Sequence, residues 1–150
     1  MTTTSEHTVK VLNSLIETTL DSARGYKEAA ESSEDTRFKT MFSDRSLKRM
    51  KLTGQLQEEV RTFGGDPEQH QSMLGKAHNT FVDLKAAVTG HDEKAIINEV
   101  ERGEDFIKAK FQKARDDQEL PDTVRQIVTS AFNDIQADHD EVSALKHQRQ

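Results

Sequence analysis

The chain has no cysteine and no tryptophan, and only two prolines, seven glycines and one tyrosine among 150 residues. Without cysteine there is no disulfide framework, thiolate-bound zinc, iron–sulfur cluster or cysteine nucleophile. So little glycine, proline and aromatic content argues against a β-sandwich, a collagenous chain or a low-complexity linker. No apolar run approaches the ~18 residues a bilayer span needs. The opening MTTTSEHTVK lacks a basic n-region and an apolar h-region, so a chain without a secretory leader, in a cytoplasmic setting, is expected. Apolar residues are themselves scarce. They make up 33% of the chain, mean hydropathy is −0.82, and Leu, Ile, Val and Phe together number 32. That share lies just above the ~20% below which charged chains usually stay disordered. The net charge of −6 is modest, and the length fits one domain over 1–150 that buries roughly two thirds of its unfolded surface.

What the chain does have is helical periodicity, which disordered sequences do not sustain. A first helix over about 5–31 follows Ser5 as N-cap and carries Val9, Leu12, Ile16, Thr19, Ala23, Tyr26 and Ala30 on one stripe. A second over 35–63 carries Phe38, Phe42, Arg45, Arg49, Leu52, Leu56, Glu59 and Phe63, and stops at Gly64-Gly65-Asp66-Pro67. A shorter helix is expected over 72–89. Asp92 caps the next, over 92–117, with Ile96, Val100, Gly103, Ile107, Phe111 and Ala114. Pro121 suits the first turn of the last, over 121–148, whose stripe is Val124, Val128, Ala131, Ile135, Asp138, Val142 and Leu145. No stretch alternates long enough for a sheet, so the fold is all-α.

Four segments of similar length, roughly 38–42 Å each at 1.5 Å per residue, are a matched set for a bundle. Short links join the first pair and the last pair as antiparallel hairpins. The helix over 72–89 is long enough to bring the chain back along the bundle. The expected order is therefore up-down-down-up with a short crossover helix, the ferritin-like architecture. Val11 and Leu15 lie outside the main stripe of the first helix; they can receive the crossover or form a homo-oligomer interface.

Ferritin-like bundles usually hold a dinuclear metal centre through Glu-x-x-His pairs. The residues three before the six histidines are Thr4, Pro67, Gly75, Val88, Gln136 and Ala144, so the motif is missing. Glu17 and Asp21 fall near the side of the first helix opposite its stripe, while Arg45 and Arg49 face inward, where cations repel a metal. Buried arginines must pair or snorkel. Level counting sets Arg45 near Glu104 and near Asp134–Asp138. The expected result is a structural core network of Arg45, Arg49, Glu104 and Asp138 that fixes helix register. The competing reading uses Glu104, Asp138 and His139 as a divalent-metal site, with no cofactor otherwise expected. Four basic residues from Arg45 to Lys51 invite a nucleic-acid reading, but two point inward and no aromatics interleave, so neither nucleic acid nor membrane is an expected partner. His7, His91 and His147 read as surface histidines. No phosphate loop or nucleophile elbow occurs, and the balance leans away from an enzyme.

The segments LNSLIETTLDSARGY (12–26), LQEEVRTFGGDPE (56–68), DLKAAVTG (83–90) and ERGED (101–105) resemble a bacterial family of ferritin-like four-helix bundles known only as a domain of unknown function. The likeness runs over roughly 9–146, with Phe81 where tryptophan is expected on the crossover. It implies a ferritin-like fold, a bacterial cytoplasmic setting and, by analogy, a stress-associated role. It supplies no activity or catalytic residue. The expected function is thus a non-catalytic bundle with a polar structural core; the alternatives are a metal binder with a degenerate site and a helical interaction module using Val11 and Leu15.

Overall fold

The computed structural model describes residues 2–68 and 93–148, with side chains from 5 to 68 and from 93 to 147. All regular structure among them is helical: α1 (Thr2–Ser32), α2 (Thr36–Thr62), α3 (Glu93–Arg115) and α4 (Asp122–Gln148). The helix expected over 72–89 and the Asp92 cap lie outside the described residues.

Local chemistry explains the boundaries. α1 begins at Thr2, so Ser5 lies inside it and does not act as its cap. At the first turn of the hairpin, the Ser33 hydroxyl donates to the Ala29 carbonyl (2.8 Å). Asp35 then caps α2, its carboxylate accepting from the Arg37 amide (2.9 Å). A carboxylate oxygen of Glu93, at the start of α3, accepts from the amides of both Glu34 and Asp35 at 2.8 Å. The start of α3 is thereby tied to the α1–α2 turn.

α2 ends in a Schellman motif. The Gly64 amide donates to Arg61 and the Gly65 amide to Val60, both at 3.0 Å, with Gly64 at φ 80°. Gly65 is needed for a different reason: a Cβ there would lie 2.7 Å and 2.8 Å from the two methyls of Val9. Beyond it, Asn13 holds the loop by donating to the Asp66 carbonyl (3.1 Å) and accepting from the Glu68 amide (2.8 Å). Pro121 precedes α4 by one residue, and its carbonyl accepts the Arg125 amide at 2.9 Å.

α1 packs chiefly on α2, α3 on α4, and α1 also on α3. Contacts run antiparallel in each pair. Tyr26 meets Arg45 and Ser22 meets Arg49; Glu101 meets Lys146 and Asp105 meets His139; Ser14 meets Lys110 and His7 meets Asp117.

Among the described residues the apolar interior is divided in two. One cluster gathers Leu12, Ile16, Leu56, Val60, Ile107, Phe111, Val124, Val128 and Ile135. The other gathers Tyr26, Phe38, Phe42, Ile96, Val100 and Val142. Arg45, Arg49, Glu104 and Asp138 are buried at the levels between these clusters.

The inward stripe of α2 departs from expectation after Arg49. Thr53, Leu56 and Val60 are buried, while Leu52, Glu59 and Phe63 are half-buried. Thr53 tolerates burial because its hydroxyl donates to the Arg49 carbonyl of its own helix (2.9 Å); Thr19 does the same to Leu15 (2.6 Å). α1 is also buried over a wider arc than its stripe, taking in Leu15, Ser22 and Asp21, the last placed by the periodicity on the opposite side.

Candidate functional site

The charged layer is built from all four helices around Arg49. Two turns of α2 project Arg45 and Arg49 from one face, four residues apart, toward the interior. The Arg49 guanidinium is 2% exposed and meets Glu104, 0% exposed, through two parallel bonds: Nη1 to Oε1 at 2.8 Å and Nη2 to Oε2 at 2.9 Å. This fork-to-fork geometry is the strongest arrangement available to the pair. Nη1 also donates to the Ser22 hydroxyl (2.8 Å), and Nη2 to Asp138 Oδ2 (3.0 Å).

Arg45 sits one turn earlier. Its Nη1 donates to the Tyr26 hydroxyl (3.2 Å), its Nη2 to Glu141 Oε1 (2.6 Å), and its Nε lies 3.3 Å from Asp138 Oδ1. Lys48 reaches both Asp138 oxygens, at 3.1 and 3.3 Å. Both guanidinium carbons also stand over the Tyr26 ring, at 5.5 and 5.4 Å from its centre, so one aromatic face serves two cations.

Charges balance within this layer, three cations against Glu104, Asp138 and Glu141. Burial works against the charge of Arg49, but Glu104 and the other surrounding groups outweigh it and hold the guanidinium more firmly protonated than usual. Burial likewise pushes the Tyr26 hydroxyl well above the ordinary phenol range; Glu104 adds to that, and the two arginines oppose it.

The structure thus brings Arg45, Arg49, Glu104 and Asp138 together, with the pairing shifted one turn from level counting. Arg49, rather than Arg45, takes Glu104. Tyr26, Ser22, Lys48 and Glu141 join them, and only Tyr26 lies on an expected stripe. His139 does not join Glu104 and Asp138. Its Nε2 lies 2.6 Å from Asp105 Oδ1 and its Nδ1 3.3 Å from Asp140 Oδ1, both on exposed carboxylates. A cleft of about 260 Å³ between α2 and α4 reaches Arg49 and Asp138 from outside, past the exposed Lys48, Lys51 and Asp134.

A second constellation has no counterpart in the sequence reading. His7, expected as a surface histidine, meets Asp117 and Glu119 from the α3–α4 turn, 110 residues away along the chain from Asp117. Among the described residues, these are the His and acidic groups whose ligand atoms gather closely enough for one metal ion. Val11 and Leu15 line a cavity of about 300 Å³ beside them, Leu15 buried and Val11 half-buried.

No helix of the described residues is long and apolar enough to cross a membrane. No curated protein matches the chain. A family model does, over residues 7–117, a span that includes Tyr26, Arg45, Arg49 and Glu104 and stops before α4 with its Asp138. The chain belongs to that family, described as Domain of unknown function (DUF2383).

Proposed function

We propose that this protein is a non-catalytic, ferritin-like helical scaffold whose mid-bundle layer of ion pairs stands where such bundles hold a metal. The observation that carries this reading is the occupation of the buried carboxylates. Both oxygens of Glu104 accept from Arg49, and Asp138 is shared among Arg45, Lys48 and Arg49. A cation entering here would have to displace guanidinium groups already in place and balanced in charge. The antiparallel contacts of α1 with α2, α1 with α3 and α3 with α4 support an up-down-down-up order. A bacterial, cytoplasmic and stress-associated setting is part of the same reading, and its support is the family resemblance of the segments 12–26, 56–68, 83–90 and 101–105.

The test is metal loading of the untagged full chain with Fe²⁺, Mn²⁺ and Zn²⁺, followed by elemental analysis. Glu104→Gln and Asp138→Asn are expected to lower the melting temperature and leave the bound metal per chain unchanged. Metal content that falls with either substitution while His7 is intact would overturn the reading in favour of a degenerate core metal site.

A further inference from the structure

The chemistry that the charged layer does not use lies where the start of α1 meets the α3–α4 turn. His7 Nε2 is 2.7 Å from Asp117 Oδ2 and 3.4 Å from Glu119 Oε2, and all three ligand atoms lie within 4.8 Å of one another. The turn itself aims them. Asp117 Oδ1 accepts the Glu119 amide at 2.9 Å, which fixes the backbone of Glu119 and leaves Oδ2 facing the imidazole.

We infer that His7, Asp117 and Glu119 form a site for a divalent transition-metal ion of the zinc class, which clamps the start of α1 to the α3–α4 turn. One imidazole and two carboxylates are a donor set suited to such ions. Ligand bonds of about 2.1 Å in tetrahedral geometry set donor atoms roughly 3.4 Å apart, so the spacing here needs only side-chain adjustment. The ion takes the place of the proton between Nε2 and Oδ2. A neutral imidazole moves that proton to Nδ1, and an imidazolium releases one proton to solvent. Three protein ligands leave a coordination position for water, and the cavity of about 300 Å³ bordered by His7 and Asp117 has room for it. Lys10, Lys110 and Lys113 line the same cavity. The amine of Lys110 donates to the Ser14 hydroxyl at 3.3 Å, and Lys10 and Lys113 are exposed, where solvent and salt screen their repulsion.

The experiment is calorimetric titration of the untagged full chain with Zn²⁺, paired with thermal melts. One ion per chain is expected, and at roughly a hundredfold excess over the dissociation constant the melting temperature rises by several degrees. Both effects disappear in His7→Ala and Asp117→Asn and persist in His139→Ala. His7 and Asp117 are partly exposed, so circular dichroism of these variants should match the parent. Absence of saturable binding in the parent, or binding that survives both His7→Ala and Asp117→Asn, overturns the inference. Binding that is lost in Glu104→Gln but kept in His7→Ala overturns it too and moves the ion to the core.

Discussion

Replacing Arg49 by methionine tests whether the charged layer holds the bundle together. The side chain is 2% exposed, and its removal takes four hydrogen bonds, two of them to Glu104. Asp138 keeps Arg45 and Lys48, so the damage falls on Glu104, whose ion pair among the described residues is with Arg49 alone. Leaving a buried charge without its partner costs about 3–5 kcal/mol. In a chain of this size each kcal/mol moves the midpoint by about 2–4 °C, so a fall of roughly 6–20 °C is expected. The companion is Arg49→Met with Glu104→Leu, which removes both charges and keeps the volume filled. That double variant should regain most of the loss, because a buried pair replaced by apolar groups is often neutral or better. Urea unfolding followed by far-UV circular dichroism measures the cycle, with an expected coupling of at least about 2 kcal/mol. A loss below about 1 kcal/mol in the single variant is the behaviour of an exposed pair and would refute the reasoning, as would a double variant no more stable than the single one.

Two further outcomes follow from particular residues. Tyr26 is the only tyrosine and tryptophan is absent, so phenolate absorbance in an alkaline titration reports this one buried group. Its folded pKa is raised, so its contribution to stability is complete below the unfolded value near 10 and is lost as pH climbs toward the folded value. The phenolate signal should therefore appear together with loss of helical circular dichroism; ionisation in the intact helix would show that Tyr26 is open to solvent. Gly64→Ala and Gly65→Ala should both destabilise for separate reasons, the first by about 1 kcal/mol through its positive φ. The second drives a methyl into Val9 and should be relieved by Val9→Ala in a double variant, whereas Gly64→Ala should not. Equal relief of both would contradict this assignment.

Much of the helical layout is readable in the sequence because 3.6-residue periodicity survives even in a chain so poor in aliphatics. The stripe of α3 holds throughout, from Ile96 to Ala114. The stop after Phe63 is legible because two glycines, an aspartate and a proline leave the helix no continuation. Phase is harder. Leu52 and Thr53 are neighbours on a broad apolar arc, and hydrophobicity favours leucine, yet the threonine is buried because it satisfies its hydroxyl within its own helix. Level counting places Arg45 near Glu104 and Asp138, yet Glu104 pairs with Arg49 one turn further on, since a long guanidinium side chain reaches across that distance. Ser22 and Glu141 carry no apolar signal that would mark them as core partners. The grouping of His7 with Asp117 and Glu119 depends wholly on where α1 begins relative to a distant turn, which no local pattern records.

The division of the interior, among the described residues, into two apolar clusters with ion pairs between them bears on how stability changes with temperature. Exposure of apolar surface on unfolding raises the heat capacity, whereas exposure of polar surface lowers it. Here a layer drawn from all four helices, with Arg49, Glu104 and Asp138 at its centre, occupies interior volume that aliphatic side chains would otherwise fill. The heat-capacity increment should therefore fall below the ~12–15 cal/mol/K per residue of an ordinary globular chain. A smaller increment flattens the stability curve, so the free energy of folding varies less on both cooling and heating. Sparing use of aliphatics should thus give this bundle a flatter stability curve than an aliphatic-rich chain of the same length.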